Sequence, residues 1–347
     1  ISLVGAIVGE LPTGASAGIG ARLLAGSYYG QTIQIWSALF AASLVACSSS
    51  EAPQDPAKAT QDPIGAVNAS AQALKAGDIL QTVRLVLPED KFAEAKKKYE
   101  EGVKANPPSD EDKAQCAEAM AKFTADGAEA ALMAELEPQL AMFDSQYAAQ
   151  MPMMIGMGRG FAAQAIQQDA TLTPEQKTEA TAAIDAMGNW LGGVKLSDRA
   201  LVRQAVGEAV ATARALKMSS LDELQNMSFE DMLGKVGVAF TGLKKIFKVY
   251  GFDLDATLDS MKSEIVSQEG DTAKVKVSYT LFGQNLSSQT DMVKVGDRWY
   301  GKDSMAKIAE AFNPAPAAEE VVIDEEEVID ETVDGEEEAV TEEAASE

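Results

Sequence analysis

Apolar positions in the middle of the chain recur every three or four residues, from about residue 64 to residue 250. This spacing places apolar side chains along one face of an α-helix, and the abundance of Ala, Glu, Lys, Gln and Leu favours the same structure. Proline, glycine and capping residues divide the stretch into separate helices. The predicted helices cover residues 66–76, 78–87, 89–104, 109–150 with a kink or break at Pro138, 174–191, 198–217, 219–227 and 228–250.

The period of the pattern changes after Lys262. Val275 and Val277 alternate with Lys274 and Lys276, which is typical of a half-buried β-strand. Turn sequences rich in glycine separate this strand from its neighbours, so the sequence predicts an α+β fold. The predicted parts are a helical domain at residues 64–251 and, at residues 252–312, an antiparallel meander that is closed by a helix at residues 304–312.

The N-terminal part of the chain has an apolar run followed abruptly by a polar segment. Residues 33–46 are mostly apolar and end in small residues, like the core of a signal peptide. The run is shorter than the roughly 20 residues that a membrane-spanning helix needs. Residues 47–63 are rich in Ser, Gln, Asp and Pro, which disfavour regular structure, so a flexible tether is predicted there.

The junction between these segments, Leu44-Val45-Ala46-Cys47, resembles the lipobox of bacterial lipoproteins. The resemblance implies that the Cys47 thiol is diacylglycerylated and that the chain is cut before this residue. A lipid bilayer would then be the partner that holds the protein. Ser48, rather than aspartate, follows the cysteine, which in lipoprotein families favours delivery to the outer membrane. The alternative is an unmodified Cys47 buried in an ordinary helix.

The segment before the apolar run, residues 1–36, carries a second resemblance. Residues 9–31 are similar to a stretch near the C-terminus of ABC-importer permeases of the nitrate, sulfonate and pyrimidine-precursor type. The other spanning helices and the ATPase-coupling loop of that family are not in this sequence. We therefore expect a truncated or fused reading frame, in which permease sequence is joined to a lipoprotein gene within its signal peptide. The alternative function is a permease component in transmembrane transport.

The strand pattern that ends in Trp299 and Tyr300 loosely resembles small, cone-shaped envelope domains of the nuclear-transport-factor-like kind. In those domains a final tryptophan strand packs against helices, and residues 73–78 are similar to the end of their first helix. The resemblance implies that the helical block is a long insertion between the first helix and the sheet. It assigns no catalytic residue to this chain.

Charge is distributed unevenly along the 347 residues, which carry 54 acids, 29 bases and a net charge of −25. The last segment, residues 315–347, holds 15 of the acids and no base, which leaves 39 acids against 29 bases elsewhere. Residues 313–347 are therefore predicted to be a disordered acidic tail. So acidic a chain would repel phosphates, and nucleic-acid binding is disfavoured.

The chain contains no histidine and two cysteines. The absence of histidine removes the commonest general base and His-based metal ligands, which disfavours an enzyme without excluding carboxylate or lysine chemistry. No catalytic residue is predicted, and an enzyme of the carboxylate type is the third hypothesis. If Cys47 is acylated, Cys116 has no partner within the chain. Cys116 is then most simply a small apolar residue in a helix.

Three groups of residues could in principle hold a cation. Each group also has a simpler interpretation: an amphipathic helix, methionines that fill gaps in a core, and weak attraction of ions to an acidic tail. We favour these interpretations, because a calcium loop needs glycine where the chain has Leu258. The groups are Asp253, Asp255, Thr257, Asp259 and Glu264, as in a calcium loop; Met151, Met153, Met154 and Met157, as thioether ligands of Cu(I); and Asp330, Thr332, Asp334 and Gly335.

Together these patterns predict a non-enzymatic lipoprotein of a bacterial envelope, without a cofactor. Cys47 would anchor it, and its body would face the periplasm. Its role would be structural, or would be to bind a partner such as another envelope protein.

Overall fold

The computed structural model describes residues 56–105, 107–170 and 172–305, and it confirms the predicted α+β class. Most of the described chain is helical, and one small antiparallel sheet follows the helices. The α-helices are α1 (Pro56–Ala59), α2 (Pro63–Ala76), α3 (Ile79–Val86), α4 (Glu89–Ala105), α5 (Asp110–Thr124), α6 (Ala128–Met142), α7 (Met151–Gln168), α8 (Pro174–Gly193), α9 (Arg199–Leu216), α10 (Asp222–Gln225), α11 (Phe229–Val249) and α12 (Leu254–Asp259).

The sheet is a simple meander in which each strand pairs with the next one along the chain. Glycines with positive φ, Gly270, Gly283 and Gly296, lie in the three turns, where the left-handed backbone favours glycine. The predicted alternation in the second strand is confirmed, because Val275 and Val277 are fully buried. The strands are β1 (Lys262–Glu269), β2 (Thr272–Leu281), β3 (Gln284–Val295) and β4 (Arg298–Gly301).

Helix starts follow the capping signals in the sequence. Ser109 accepts a hydrogen bond from the backbone of Asp112, whose carboxylate accepts one from the Ser109 backbone in return. Thr173 and Gln176 form the same reciprocal box, with proline at the first position of α8. These contacts satisfy backbone N–H groups that a helix start leaves unpaired.

The predicted single helix at residues 109–150 is wrong in its place of interruption. The helix is interrupted at Gly127, which has a φ of 76°. Helix α6 begins after this glycine and continues through Pro138. Proline removes one backbone hydrogen bond, but the buried Leu136 and Leu140 on either side hold the helix against α9. A short π-helix, Phe143–Tyr147, follows α6.

The folded body begins earlier than the predicted tether at residues 47–63 allows. Helix α1 occupies Pro56–Ala59, and Thr60 is fully buried. The Thr60 carbonyl accepts a hydrogen bond from the Trp299 backbone N–H at 2.8 Å, and its hydroxyl accepts one from the Arg298 guanidinium at 3.0 Å. Contacts with the last strand therefore order a segment that has little structural preference of its own.

The main core lies between the inner face of the sheet and four helices, α2, α3, α11 and α12. Trp299 on β4 is only 3 % exposed and belongs to this core. The sheet thus shares one core with helices from both ends of the helical region that precedes it, and in the described chain no separate core divides residues 64–251 from residues 252–305. Of the predicted closing helix, residues 302–305 are described and helical, and the remainder lies outside the described residues.

A second, smaller core joins α6 to α9 through buried leucine and valine side chains. At its edge the Arg199 guanidinium pairs with Glu137 at 2.8 Å and also with Asp144. Helix α9 packs in turn against α11, so α11 links the two cores.

A close backbone approach lies where α11 crosses the turn between α2 and α3. A Cβ atom on Gly237 would lie 2.4 Å from the backbone oxygen of Gly77, and one on Gly77 would lie 2.2 Å from the Thr241 hydroxyl. The Gly77 oxygen belongs to the backbone and cannot move away from Gly237 without disturbing the main core, so position 237 requires glycine. Position 77 favours glycine because its φ of 72° is left-handed.

We predict that Gly237→Ala lowers the free energy of unfolding by about 1–3 kcal/mol, because the added methyl group overpacks this crossing. Gly234→Ala, one turn earlier on α11, is the control, since no atom lies within 4 Å of its Cβ position. It should instead stabilise the protein by about 0.5–1 kcal/mol. Urea unfolding of both variants measures the difference, and equal effects would contradict the crossing geometry.

Candidate ligand-binding cavity

A cavity of about 280 Å³ lies between the sheet, α2 and the first half of α8. Small side chains on its two opposing walls create the space: Ala180 and Ala183 on α8 face Ser288 and Thr290 on β3. The same face of the sheet carries the large residues Val275 and Val277 where α2 and its neighbours cover it directly. The cavity therefore lies at the part of the sheet that α8 covers, beside the part that α2 and its neighbours cover closely.

The floor of the α8–sheet cavity is apolar and rigid. Val67, Met292 and Trp299 line it and are almost completely buried in the main core. The buried hydroxyl of Ser70 also lines the floor, but it donates a hydrogen bond to the Ala66 carbonyl at 2.9 Å. The floor thus presents carbon atoms and an aromatic ring to whatever enters.

The wall of the cavity carries the carboxyl group of Glu179, on α8. Burial raises the pKa of this carboxyl above its ordinary value, while the Gln289 backbone N–H that it accepts and the charge of Lys276 act in the opposite direction. Burial also raises the pKa of the nearby Tyr279 hydroxyl, and Glu179 adds to that effect. Both groups therefore favour their neutral, hydrogen-bonding forms more than they would in water.

This combination suits a small, mainly apolar molecule with one hydrogen-bonding group. Pockets of this kind generally pair an apolar lining with a few polar groups that orient the ligand. The volume lies just below the range of roughly 300–1,000 Å³ that is usual for small-molecule sites, which favours a small ligand. A carboxylate ligand would meet the acidic Glu179, so a neutral or cationic head group fits better.

The residues that resemble a calcium loop form the helix α12 and its surroundings. Asp253 caps this helix and pairs with Lys248 at 2.8 Å, an ion pair that lowers the pKa of the Asp253 carboxyl. Thr257, in the middle of the helix, is buried. The helix thus replaces the loop that calcium coordination would require.

The remaining carboxylates of that pattern turn toward different lysines. Asp255 pairs with Lys244 at 2.6 Å, and Asp259 pairs with Lys75 at 2.5 Å. Glu264, on β1, lies 3.5 Å from Lys276. The structure therefore does not bring these oxygens together, and within residues 56–305, as far as they are described, no group of three potential ligands forms a metal site.

The methionines considered as Cu(I) ligands lie on α7, and the interpretation that they fill gaps in a core is wrong. Met153, Met154 and Met157 are each about half exposed or more, and only Met151 is partly buried. Helix α7 packs along α8, and its outer side is left uncovered in the described chain. These three side chains therefore lie on the surface of the described chain.

Cysteine 116 lies on α5 and is half-buried with a free thiol. Burial raises the pKa of this thiol, so it is less reactive than an exposed cysteine. Several other features that the sequence predicts lie outside the described residues. These are the lipobox with Cys47, residues 1–36, and the tail with Asp330, Thr332, Asp334 and Gly335.

No protein-family model, curated protein or solved structure matches this chain. The resemblances to lipoproteins, permeases and nuclear-transport-factor-like domains therefore stay predictions. In the described part of the chain no helix combines the length and the apolar character needed to cross a bilayer.

The α8–sheet cavity was not predicted from the sequence. Glu179 and Trp299 lie far apart along the chain, and neither belongs to a motif. The available signal was the run of small and polar residues on the inner face of β3, since such residues leave space against a facing helix.

We predict that Glu179→Gln stabilises the protein at neutral pH and has no such effect in acid. A raised pKa in the folded state means that stability falls as the pH rises from the ordinary glutamate pKa through the folded-state value. Glutamine cannot ionise, and its side-chain oxygen can still accept the Gln289 N–H.

Thermal unfolding of both proteins between pH 3.5 and pH 7.5 measures this difference. The gap in melting temperature should open as the pH rises. A gap that is constant across the range would show that ionisation of Glu179 does not cost stability.

Proposed function

We propose that this chain is a membrane-anchored lipoprotein of a bacterial envelope, with a non-enzymatic binding role. The observation that carries the proposal is the lipobox-like junction at Cys47, placed directly before a polar segment and a folded body. The anchored body would face the periplasm, and Ser48 favours the outer membrane over the inner one.

The distance between anchor and body supports this arrangement. Eight residues lie between Cys47 and the start of α1 at Pro56. Fully extended, they could span at most about 30 Å, at roughly 3.3–3.6 Å per residue. The body would then stay close to the bilayer, within reach of molecules that leave it.

The α8–sheet cavity supports a binding role for the body. Its apolar floor and its few polar groups suit a small apolar ligand with a neutral or cationic head group. The chain has no histidine, and the cavity holds no cysteine, so it lacks the usual nucleophile–base pairs of hydrolytic enzymes.

The alternative, a permease component, rests on residues 9–31 alone. It would need further spanning helices, which would have to come from sequence upstream. A continuous permease reading frame upstream in the genome would favour this alternative. A start codon followed by lysine or arginine shortly before Trp36 would favour the lipoprotein.

We predict that Cys47→Ser abolishes processing and lipid attachment. The intact mass of wild-type protein extracted from membranes should correspond to a chain that starts at Cys47 and carries acyl groups. The variant should retain residues 1–46 and carry no lipid. Cys116→Ser is the control and should be processed like the wild type. Unprocessed wild-type protein, or acyl label that survives in Cys47→Ser, would refute the anchor.

We further predict that 1-octanol binds the α8–sheet cavity and that Ala183→Leu weakens this binding by about tenfold or more, because a longer side chain fills the space. Thr178→Leu, on the exposed side of α8, is the control and should bind normally. Octanoate should bind more weakly than octanol because of Glu179. Calorimetric titration of the full chain measures all three, and equal affinity in Ala183→Leu would exclude the cavity as the site.

A further inference from the structure

Helices α7 and α8 form a hairpin that belongs to neither of the two cores. The Arg159 guanidinium on α7 pairs with Asp185 on α8 at 2.6 Å. Nearer the other end, the Lys177 ammonium on α8 donates to the Gln167 carbonyl on α7 at 2.7 Å, so the two helices run antiparallel. Among the described residues of the main core and of the smaller core, none comes from α7 or α8. Both cores can therefore stay intact while this α7–α8 hairpin moves.

The two joints of the α7–α8 hairpin lie side by side at one of its ends. The chain approaches α7 through the π-helix Phe143–Tyr147 and leaves α8 through residues 194–198. The Ser197 hydroxyl donates to the Asp144 carboxylate, which also accepts a hydrogen bond from Arg199. Interrupted helices and the ends of elements often serve as hinges. We call the π-helix and the exit segment together the hinge.

The opposite end of the hairpin covers the α8–sheet cavity. The cavity-lining residues of this end are Leu172, Gln176, Glu179, Ala180 and Ala183. Helix α8 has 20 residues. It is therefore about 30 Å long at 1.5 Å per residue, and a rotation of about 10° at the hinge would move its first turn by about 5 Å. Such a movement would separate the two walls of the cavity.

An aromatic contact holds the hairpin to the body. The Trp190 ring on α8 stacks on the Phe282 ring, with 4.7 Å between the ring centroids and 17° between the planes. The Trp190 indole N–H also donates to the Tyr250 carbonyl at 2.9 Å. Trp190 lies about 6 Å along the helix from residue 194, so the same rotation would shift it by about 1 Å. A gap of that size forfeits a large part of a van der Waals contact, and the stack therefore opposes opening.

Phe282 has a backbone conformation that a bulky side chain seldom adopts. Its φ is 50°, in the turn between β2 and β3, where asparagine or glycine is usual. Phe282 belongs to neither core, and its ring contacts Trp190 and Phe252. Residues held in such conformations cluster where a structure has a functional constraint. The contact with α8 accounts for a phenylalanine at a position that suits asparagine better.

We propose that the α7–α8 hairpin is a hinged lid over the α8–sheet cavity and that the stack of Trp190 on Phe282 holds it closed. The lid turns as one body about the hinge, and the hydrogen bond from the Gln289 N–H to Glu179 breaks as it opens. A small apolar ligand enters between the first half of α8 and β3. Ligand entry rests on the binding role proposed above, whereas opening is a property of the free protein.

The test measures how often the cavity floor becomes accessible. Ser70 and Ala71 are neighbours on α2 and are each 4 % exposed, but only Ser70 lines the cavity. Ser70→Cys and Ala71→Cys are each made in the full chain with Cys47→Ser and Cys116→Ser, so that each protein has one thiol. The thiol is labelled with a fluorescein maleimide, whose bulk exceeds the space of the closed cavity.

We expect Ser70→Cys to be labelled about tenfold faster than Ala71→Cys, or more, because local opening is more frequent than global unfolding. The rate for Ser70→Cys should depend only weakly on urea, since opening of the lid exposes little surface. The rate for Ala71→Cys should follow global unfolding instead. Equal rates with the same dependence on urea would overturn the lid.

Two substitutions test the stack. Trp190→Ala should raise the labelling rate of Ser70→Cys by about three- to tenfold, because the aromatic contact is lost. Phe282→Asn should do the same although asparagine suits the turn better, so a weakened sheet cannot explain the result. Phe161→Ala removes a ring of α7 that is 71 % exposed, and as the control it should leave the rate unchanged. An unchanged rate in Phe282→Asn would overturn the proposal, even if Trp190→Ala fails to fold.

Addition of 1-octanol separates the lid from the binding role. Octanol in the cavity should slow the labelling of Ser70→Cys. If octanol has no effect while Trp190→Ala and Phe282→Asn still raise the rate, the binding role is refuted and the lid stands. If octanol protects the thiol while both substitutions leave the rate unchanged, the binding role stands and the lid is refuted.

Discussion

Burial of the inner face of the sheet against the first helices holds the described body together. Val275, Val277 and Trp299 lose nearly all contact with water there, and each such side chain contributes about 1.5–3 kcal/mol. The last strand is also hydrogen-bonded to the first described segment through Arg298 and Thr60, 238 positions apart in sequence. All the intervening helices therefore belong to a loop of the chain that is closed by the contact between Thr60 and Arg298. Gly77 and Gly237 permit one of the close backbone contacts in this core.

The α8–sheet cavity is a consequence of how that face is covered. Where large residues of the sheet meet α2, α3 and α11, the packing is dense. Where Ser288 and Thr290 meet Ala180 and Ala183, the side chains are too short to fill the gap. Glu179 bridges this gap by accepting the Gln289 N–H, so the cavity keeps a polar wall beside an apolar floor. A binding site arises here from residue size, without any catalytic motif.

Several acidic residues of the body form ion pairs with lysines of neighbouring helices. Lys244 is nearly buried, and its ammonium group donates to the Lys75 carbonyl at 2.5 Å and to Asp255 at 2.6 Å. It thereby ties α11 to the end of α2 and to α12. The carboxylates that resemble a calcium loop in sequence are thus distributed over separate lysines. The uncharged outer side of α7 stands out against this densely charged surface.

The sequence by itself determined the class of fold, the strands and most helix ends, because these depend on local periodicity, capping residues and glycine turns. It also favoured a helix over a calcium loop at residues 253–259, since Leu258 occupies the place that needs glycine. Tertiary structure alone decided that Thr60 is ordered, that Pro138 lies inside a helix and that the methionines of α7 face outward. Each of these depends on which surfaces meet across long sequence separations, and local pattern carries no information about that. The cavity belongs to the same group, because the space between two walls is set by both of them together.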